Sequence, residues 1–276
     1  MTALAVTDAG VAADGAPTAR PRRRFALLRH SVVLARRGLI TTLRTPEALA
    51  DVTIQPIIFL LLFTYVFGGA ISGGSQHDYL QFLLPGILAQ TIAMGGIAIG
   101  VNLNTDIDKG VFDRFRSLPI ARSAPLVGAV LADIVRYVLV CVVIVGFGYV
   151  LGYRARTSAP EVLAGCLLAV AFALCFCWCA VYVGMIARTP GAVQGIMMLL
   201  VLPLSFGSST FVPTSTMPGW LQTFVDANPL THLIGAERAL LGGAAMGQHL
   251  LWTFVWMAGL LAVFVPLALR AYGRRV

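Results

Sequence analysis

A chain of 276 residues in which 58% are hydrophobic and only 12% charged carries about half the charge density of a soluble protein, which excludes a soluble enzyme and places the chain in a bilayer. The net charge of +8 points at first to nucleic acid, but the arginines crowd the N-terminus, the Asn104–Arg136 stretch and the C-terminus with no basic and aromatic face between them, so membrane topology accounts for them and nucleic acid is not an expected partner. Lys109 is the only lysine and is followed by Gly110, so G-x-x-x-x-G-K-[ST] cannot occur and the chain has no phosphate-binding loop of its own.

Residues 1–24 lack a periodic apolar pattern over most of their length and are expected to form a disordered cytoplasmic tail. The run R-R-R-F-A-L-L at Arg22–Leu28 superficially suggests a twin-arginine export signal, but Arg29, His30, Arg36 and Arg37 interrupt what should be an uncharged core. Over residues 25–44, Phe25, Leu28, Val32, Leu39 and Leu43 fall on one face and the charged residues on the other, the pattern of an interfacial helix. A hydrocarbon core about 30 Å thick needs about twenty apolar residues as helix. Six stretches qualify: Val52–Ala70, Leu80–Val101, Leu126–Leu151, Val162–Ile186, Ala192–Val212 and Leu250–Leu269. With a cytoplasmic N-terminus the inner segments hold 17 Lys and Arg residues and the outer ones 3 (Arg154, Arg156, Arg238), which satisfies the positive-inside rule and returns the C-terminus to the cytoplasm.

Between the second and third spans, Thr105 and Asp108 form a capping-box pattern, after which Ile107, Val111, Phe115 and Leu118 fall on one helix face and Lys109, Asp113, Arg114 and Arg116 on the other. The spacing predicts a short amphipathic helix along the bilayer, with acids at its front, arginines at its back and Pro119 as its stop. A solvated loop whose arginines only set topology is the plainer reading.

Inside the spans, Gly96 and Gly100 form a G-x-x-x-G that lets a neighbouring helix approach closely. Asp133 and Arg136, three apart, can pair on one face, and a structural ion pair is favoured over a proton relay because no chain of ionisable groups continues across the membrane. Pro56 and Pro203 are expected to kink their helices. Cys141, Cys166, Cys175, Cys177 and Cys179 all lie in apolar runs and read as small packing residues, with no disulfide framework and no metal site. The outer segment Pro213–His249 reads as two short helices, one opened by Pro218 with Trp220, Leu221 and Phe224 toward the membrane, the second from Leu230 to Leu241, meeting at Asn228-Pro229. His232, His249 and Glu237 read as interfacial hydrogen-bonding groups. The G-S-S at Gly207–Ser209 allows an intramembrane serine hydrolase, but the last span offers no histidine and His249 only borders it.

The string D-I-D-K-G-V-F-D-R-F-R-S-L-P-I-A-R-S-A-P-L-V-G at Asp106–Gly128 resembles the segment before the third span in ABC-2 type transporter permeases. The string F-V-P-T-S-T-M-P-G-W-L-Q-T-F-V-D-A-N-P-L-T-H-L-I-G-A-E-R-A-L-L-G at Phe211–Gly242 is similar to the outer segment before their last span. The subgroup it looks most like is the daunorubicin-resistance type of drug exporter. The resemblance implies an all-α fold over residues 25–276: an N-terminal interfacial helix, six spans, a coupling loop at 104–125, and an outer re-entrant or interfacial hairpin before the last span. It implies a bacterial plasma-membrane permease that is not itself an enzyme, paired with a second copy and with ATPase subunits that bind the ATP and Mg, and exporting amphiphilic drugs, antibiotics or lipid-like compounds. Permeases that export polysaccharide or teichoic acid share the architecture. The family's coupling role falls on Asp106, Asp108, Gly110, Arg114, Arg116, Leu118 and Pro119, with Asp113 where family members often carry Glu. The substrate path falls on the second and fifth spans, where Met94, Met197 and Met198 can repack around apolar cargo, Phe206 can stack on a planar ring, and Gln90, Asn102 and Gln194 supply uncharged amides.

Overall fold

The computed structural model describes residues 46–71, 75–111 and 124–275, and every regular element among them is helical. In chain order these are α1 (Pro46–Leu62), α2 (Gln76–Asp108), α3 (Ala124–Val150), α4 (Ala159–Ile186), α5 (Pro190–Phe206), α6 (Gly219–Ala227), α7 (Pro229–Gly242) and α8 (His249–Arg275). α1 runs through a π-helical turn, Phe63–Phe67, into a last turn at Gly68–Ile71. The predicted tail and interfacial helix at 1–44 lie outside the described residues.

Among the described residues, four helices, α2, α3, α4 and α8, are long and apolar enough to cross a membrane. The apolar part of α1, Thr53–Phe67, and α5 are shorter. The predicted fifth span, Ala192–Val212, is corrected at its outer end. The helix stops at Phe206, Gly207 N–H closes onto the Pro203 carbonyl, and Ser208 Oγ donates to the Ser205 carbonyl at 2.6 Å, so side chains and turns satisfy the last carbonyls. At 17 residues α5 is about 25 Å long, less than the hydrocarbon thickness.

α2 is the central element. It packs against α3, α4, α5, α7 and α1, while α8 rests on α4 and α7 and leaves most of its surface exposed. The α2–α4 contact is backbone on backbone: a Cβ added at Gly184 would lie 2.6 Å from the Gly100 carbonyl oxygen, and one at Gly100 would lie 2.5 Å from the Ala180 carbonyl oxygen. Gly96 sits over the Phe176 ring, so the G-x-x-x-G face of α2 meets α4 along its length. Tyr137 of α3, fully buried, reaches Cys177 of α4 with its hydroxyl 2.9 Å from Sγ. All five cysteines are free thiols.

The segment before α8 folds as two helices meeting at Asn228. Asn228 Oδ1 accepts from Leu230 N–H and caps α7, while its Nδ2 donates to the Leu204 and Gly207 carbonyls at 2.7 Å each and ties the hairpin to the frayed end of α5. Trp220 and Phe224 are exposed on α6.

Candidate functional site: an amide-lined cavity between four helices

A cavity of about 360 Å³ opens between α1, α2, α3 and α5. α2 supplies Gln90, Met94 and Asn102 to its wall, α5 supplies Gln194 and Met198, α1 supplies Gln55 and Phe59, and α3 supplies Arg136 and Tyr137. Five of the seven path residues read from the sequence therefore share one wall system. The remaining two stand elsewhere. Met197 is fully buried, and Phe206 is exposed at the C-terminal end of α5, stacked on Phe211 with ring centroids 5.4 Å apart. Phe211 in turn stacks on Phe63 of the π-helical turn at 4.3 Å. This aromatic stack at the outer end was not legible in the sequence, because it joins residues from three separate segments.

Arg136 is held by fixed partners. Its Nη2 lies 2.9 Å from Asp133 Oδ2, donates to the Gly95 carbonyl, and is 3.4 Å from the Tyr137 hydroxyl. Gly95 keeps this contact uncrowded: a Cβ there would fall 3.2 Å from the Tyr137 ring, a tight approach, and 3.7 Å from Arg136 Nη2, an ordinary contact. Two polar atoms of the cavity-lining residues have no partner, Arg136 Nε and Gln90 Oε1. A buried polar atom left unpaired costs about 1–3 kcal/mol.

The inner end of α2 differs from expectation. Thr105 does not cap a new helix. Its Oγ1 donates to the Val101 carbonyl at 2.9 Å, and α2 continues unbroken to Asp108. Asp106 and Asp108 thus lie in the last turn of α2 and not at the front of another helix. The helix ends because Gly110 takes a left-handed conformation (φ 67°), with Lys109 N–H bonded to Thr105 O and Gly110 N–H to Ile107 O. Arg114, Arg116, Leu118 and Pro119 lie outside the described residues. Sequence reading also missed Asn104, which is fully buried and donates from Nδ2 to the Gly184 and Ala187 carbonyls at 2.9 Å each. That contact ties the start of the predicted coupling region to the inner end of α4.

Near the N-terminal end of α2, Arg238 stacks on the Phe82 ring at 3.6 Å and donates to Ser209 O at 2.6 Å, to Ser209 Oγ at 3.2 Å and to Phe82 O at 3.2 Å. The Gly207–Ser209 serines are therefore engaged by a guanidinium and a carbonyl and not by a base. His232 stacks on Trp252, with ring centroids 5.8 Å apart, and lies tilted against His249 at 5.7 Å. Glu237 corrects another expectation: it is fully buried and neither carboxyl oxygen has a hydrogen-bond partner. Burial, reinforced by nearby Cys166, pushes its carboxyl well above the usual carboxylate range, with adjacent Arg238 acting in the opposite sense.

Comparison with known proteins matches residues 30–241 to the family described as ABC-2 type transporter. The chain is 42% identical over 236 residues to the daunorubicin resistance ABC transporter permease protein DrrB1 of Streptomyces coeruleorubidus, covering 86% of this chain and 83% of that protein. It is 29% identical over 253 residues to the doxorubicin resistance ABC transporter permease protein DrrB of Mycobacterium tuberculosis, covering 86% and 87%. A putative transport permease of Cyanophora paradoxa is 26% identical over 234 residues, covering 83% and 78%.

Proposed function

The chain belongs to the ABC-2 type transporter family, and on that basis we propose that it is the membrane permease subunit of an ATP-driven exporter whose cargo is an amphiphilic drug, antibiotic or lipid-like compound. The observation that carries this reading is the 42% identity, over 86% of the chain, to a permease named for daunorubicin resistance. The cavity supports it, since its walls mix methionine, phenylalanine and amide side chains, the materials of a site that tolerates varied apolar cargo. A polysaccharide or teichoic-acid cargo fits less well: the one charged side chain lining the cavity, Arg136, already faces Asp133. An intramembrane hydrolase fits less well: Ser208 bonds the Ser205 carbonyl and the Thr210 hydroxyl, and Ser209 accepts from Arg238, so these serines are engaged by groups other than a base.

In this reading the chain crosses the plasma membrane of a bacterium six times with both termini in the cytoplasm, α1 and α5 serving as the shorter spans and α6–α7 forming an interfacial or re-entrant hairpin outside. ATP and Mg are bound by a separate ATPase subunit, which grips the loop that follows Asp108. A second copy of the permease completes the path, because six helices of about 10 Å diameter enclose little beyond their own side chains. The test is co-expression with an ABC ATPase that co-purifies with the chain, in a drug-sensitive bacterial host. Cells holding both subunits are expected to accumulate less doxorubicin than cells holding either alone. Equal accumulation in all three, with the complex assembled, refutes the export reading.

A further inference from the structure

We propose that the cleft between the C-terminal ends of α4 and α8 is a binding site for an anionic phospholipid, with the lipid phosphate on Arg270 and Arg274 and a lipid chain along the apolar wall. A cavity of about 410 Å³ lies there and shares no lining residue with the four-helix cavity. α8 supplies Leu267, Arg270 and Arg274 to it, and α4 supplies Tyr182, Met185 and Ile186. Arg270 and Arg274 stand four apart in a continuous helix, so they share one face, and both are exposed. No acidic residue lines the cleft, and among the described residues the ion pair is Arg136–Asp133, at the four-helix cavity. Two guanidinia on one face with no carboxylate opposite them suit an anion from outside the chain, and phosphate oxygens match their paired N–H groups.

The wall of the cleft describes a membrane lipid and not a dissolved anion. Every lining residue other than the two arginines is apolar or aromatic. Tyr182 packs against Phe264 with ring centroids 6.1 Å apart, and Phe264 precedes Arg270 by about 9 Å along the axis of α8. The cleft therefore grades from charge at its mouth to aromatic and aliphatic surface at depth, the order in which a phospholipid presents its phosphate and then its chains. The helix ends oppose an anion only weakly. Each C-terminus carries about half a negative charge against two whole positive ones, and on α4 the Gly184 and Ala187 carbonyls already accept from Asn104. A zwitterionic lipid brings its own cation to the arginines and gains less. The topology proposed above makes this the cytoplasmic leaflet, while binding itself depends on neither that orientation nor export.

The test is native mass spectrometry of the full chain in detergent, titrated with dioleoyl phosphatidylglycerol or dioleoyl phosphatidylcholine. Wild type is expected to hold phosphatidylglycerol about tenfold more tightly than phosphatidylcholine, and Arg270→Gln/Arg274→Gln is expected to lose that preference with phosphatidylcholine affinity unchanged. Two further variants keep both charges. Ala271→Phe fills the cleft, and Arg270→Lys/Arg274→Lys removes the paired N–H edges. Each is expected to weaken phosphatidylglycerol binding by about threefold. The lysine substitutions stand at exposed positions, so they decide the matter even where Ala271→Phe disturbs the packing of α8. A diffuse surface charge acts equally through arginine and lysine, so full affinity in both charge-keeping variants overturns the proposal. Equal binding of the two lipids by wild type overturns it, and so does wild-type preference in Arg270→Gln/Arg274→Gln. Displacement of phosphatidylglycerol by millimolar inorganic phosphate overturns it as well, because that outcome assigns a free-anion site.

Discussion

Asn104 of α2 is bonded to the inner end of α4: its Nδ2 donates to the carbonyls of both Gly184 and Ala187 at 2.9 Å. Both carbonyls lie at the C-terminal end of α4, so a side chain from a different helix bonds that end. The contact sits four residues before Asp108, where α2 stops. Asn104→Leu, similar in size but unable to donate, is expected to destabilise the chain by about 1–3 kcal/mol, read as a lower thermal midpoint in detergent. A midpoint equal to that of wild type contradicts this role.

The α2–α4 crossing depends on the absence of side chains. Gly184→Ala puts a methyl group 2.6 Å from the Gly100 carbonyl oxygen, closer than carbon and oxygen tolerate, and the helices must separate. The expected cost is about 1–3 kcal/mol, with Gly184→Val worse than Gly184→Ala. Gly191→Ala is the control, since a Cβ there meets nothing within 4 Å.

Glu237 gives the chain a pH dependence whose sign is fixed by its burial. Its folded pKa is raised above the ordinary 4.5, so the folded state favours the protonated form, and the stability associated with that proton is fully present below the unfolded pKa and is lost as pH rises toward the folded value. Glu237→Gln keeps the shape without the proton. Its thermal midpoint is expected to exceed that of wild type at about pH 8 and to approach it at about pH 5. A difference that is constant across that range contradicts the buried neutral carboxyl.

Orientation is tested by labelling. In a background without the five native cysteines, Ser75→Cys and Ser158→Cys are expected to react with an impermeant thiol reagent added to intact cells, and Ser117→Cys is not. Ser75 and Ser158 stand at the N-caps of α2 and α4, the ends assigned to the outside. Labelling of Ser117→Cys inverts or refutes the topology.

What could be read from the sequence and what could not divides along physical lines. Hydropathy located the long spans because length and apolarity are local properties, and the break between two short helices at Asn228-Pro229 was local as well. The inner end of α2 was misread because Thr105 and Asp108 have the spacing of a helix start, while the preceding apolar run propagates the helix straight through them to Gly110. The end of α5 was set by turns at Gly207 and Ser208, which hydropathy does not register. Amides and methionines along α2 and α5 marked much of the cavity, but Gln55, Phe59 and Tyr137 join it only through packing. The unpaired edges of Arg136 and Gln90 are a property of the folded chain alone.

As an exporter subunit, this chain is expected to move cargo only when a separate ATPase drives it through the loop after Asp108. The most direct measurement is ATP-driven uptake of doxorubicin into inverted proteoliposomes containing the permease with its ATPase, the permease alone, or the Arg116→Glu permease with its ATPase. Uptake is expected only in the first, with Arg116→Glu assembling normally but falling toward background, as a reversed charge at a desolvated contact costs several kcal/mol. ATP hydrolysis or ATP-driven uptake by the purified permease alone, or full transport by Arg116→Glu, contradicts the claim.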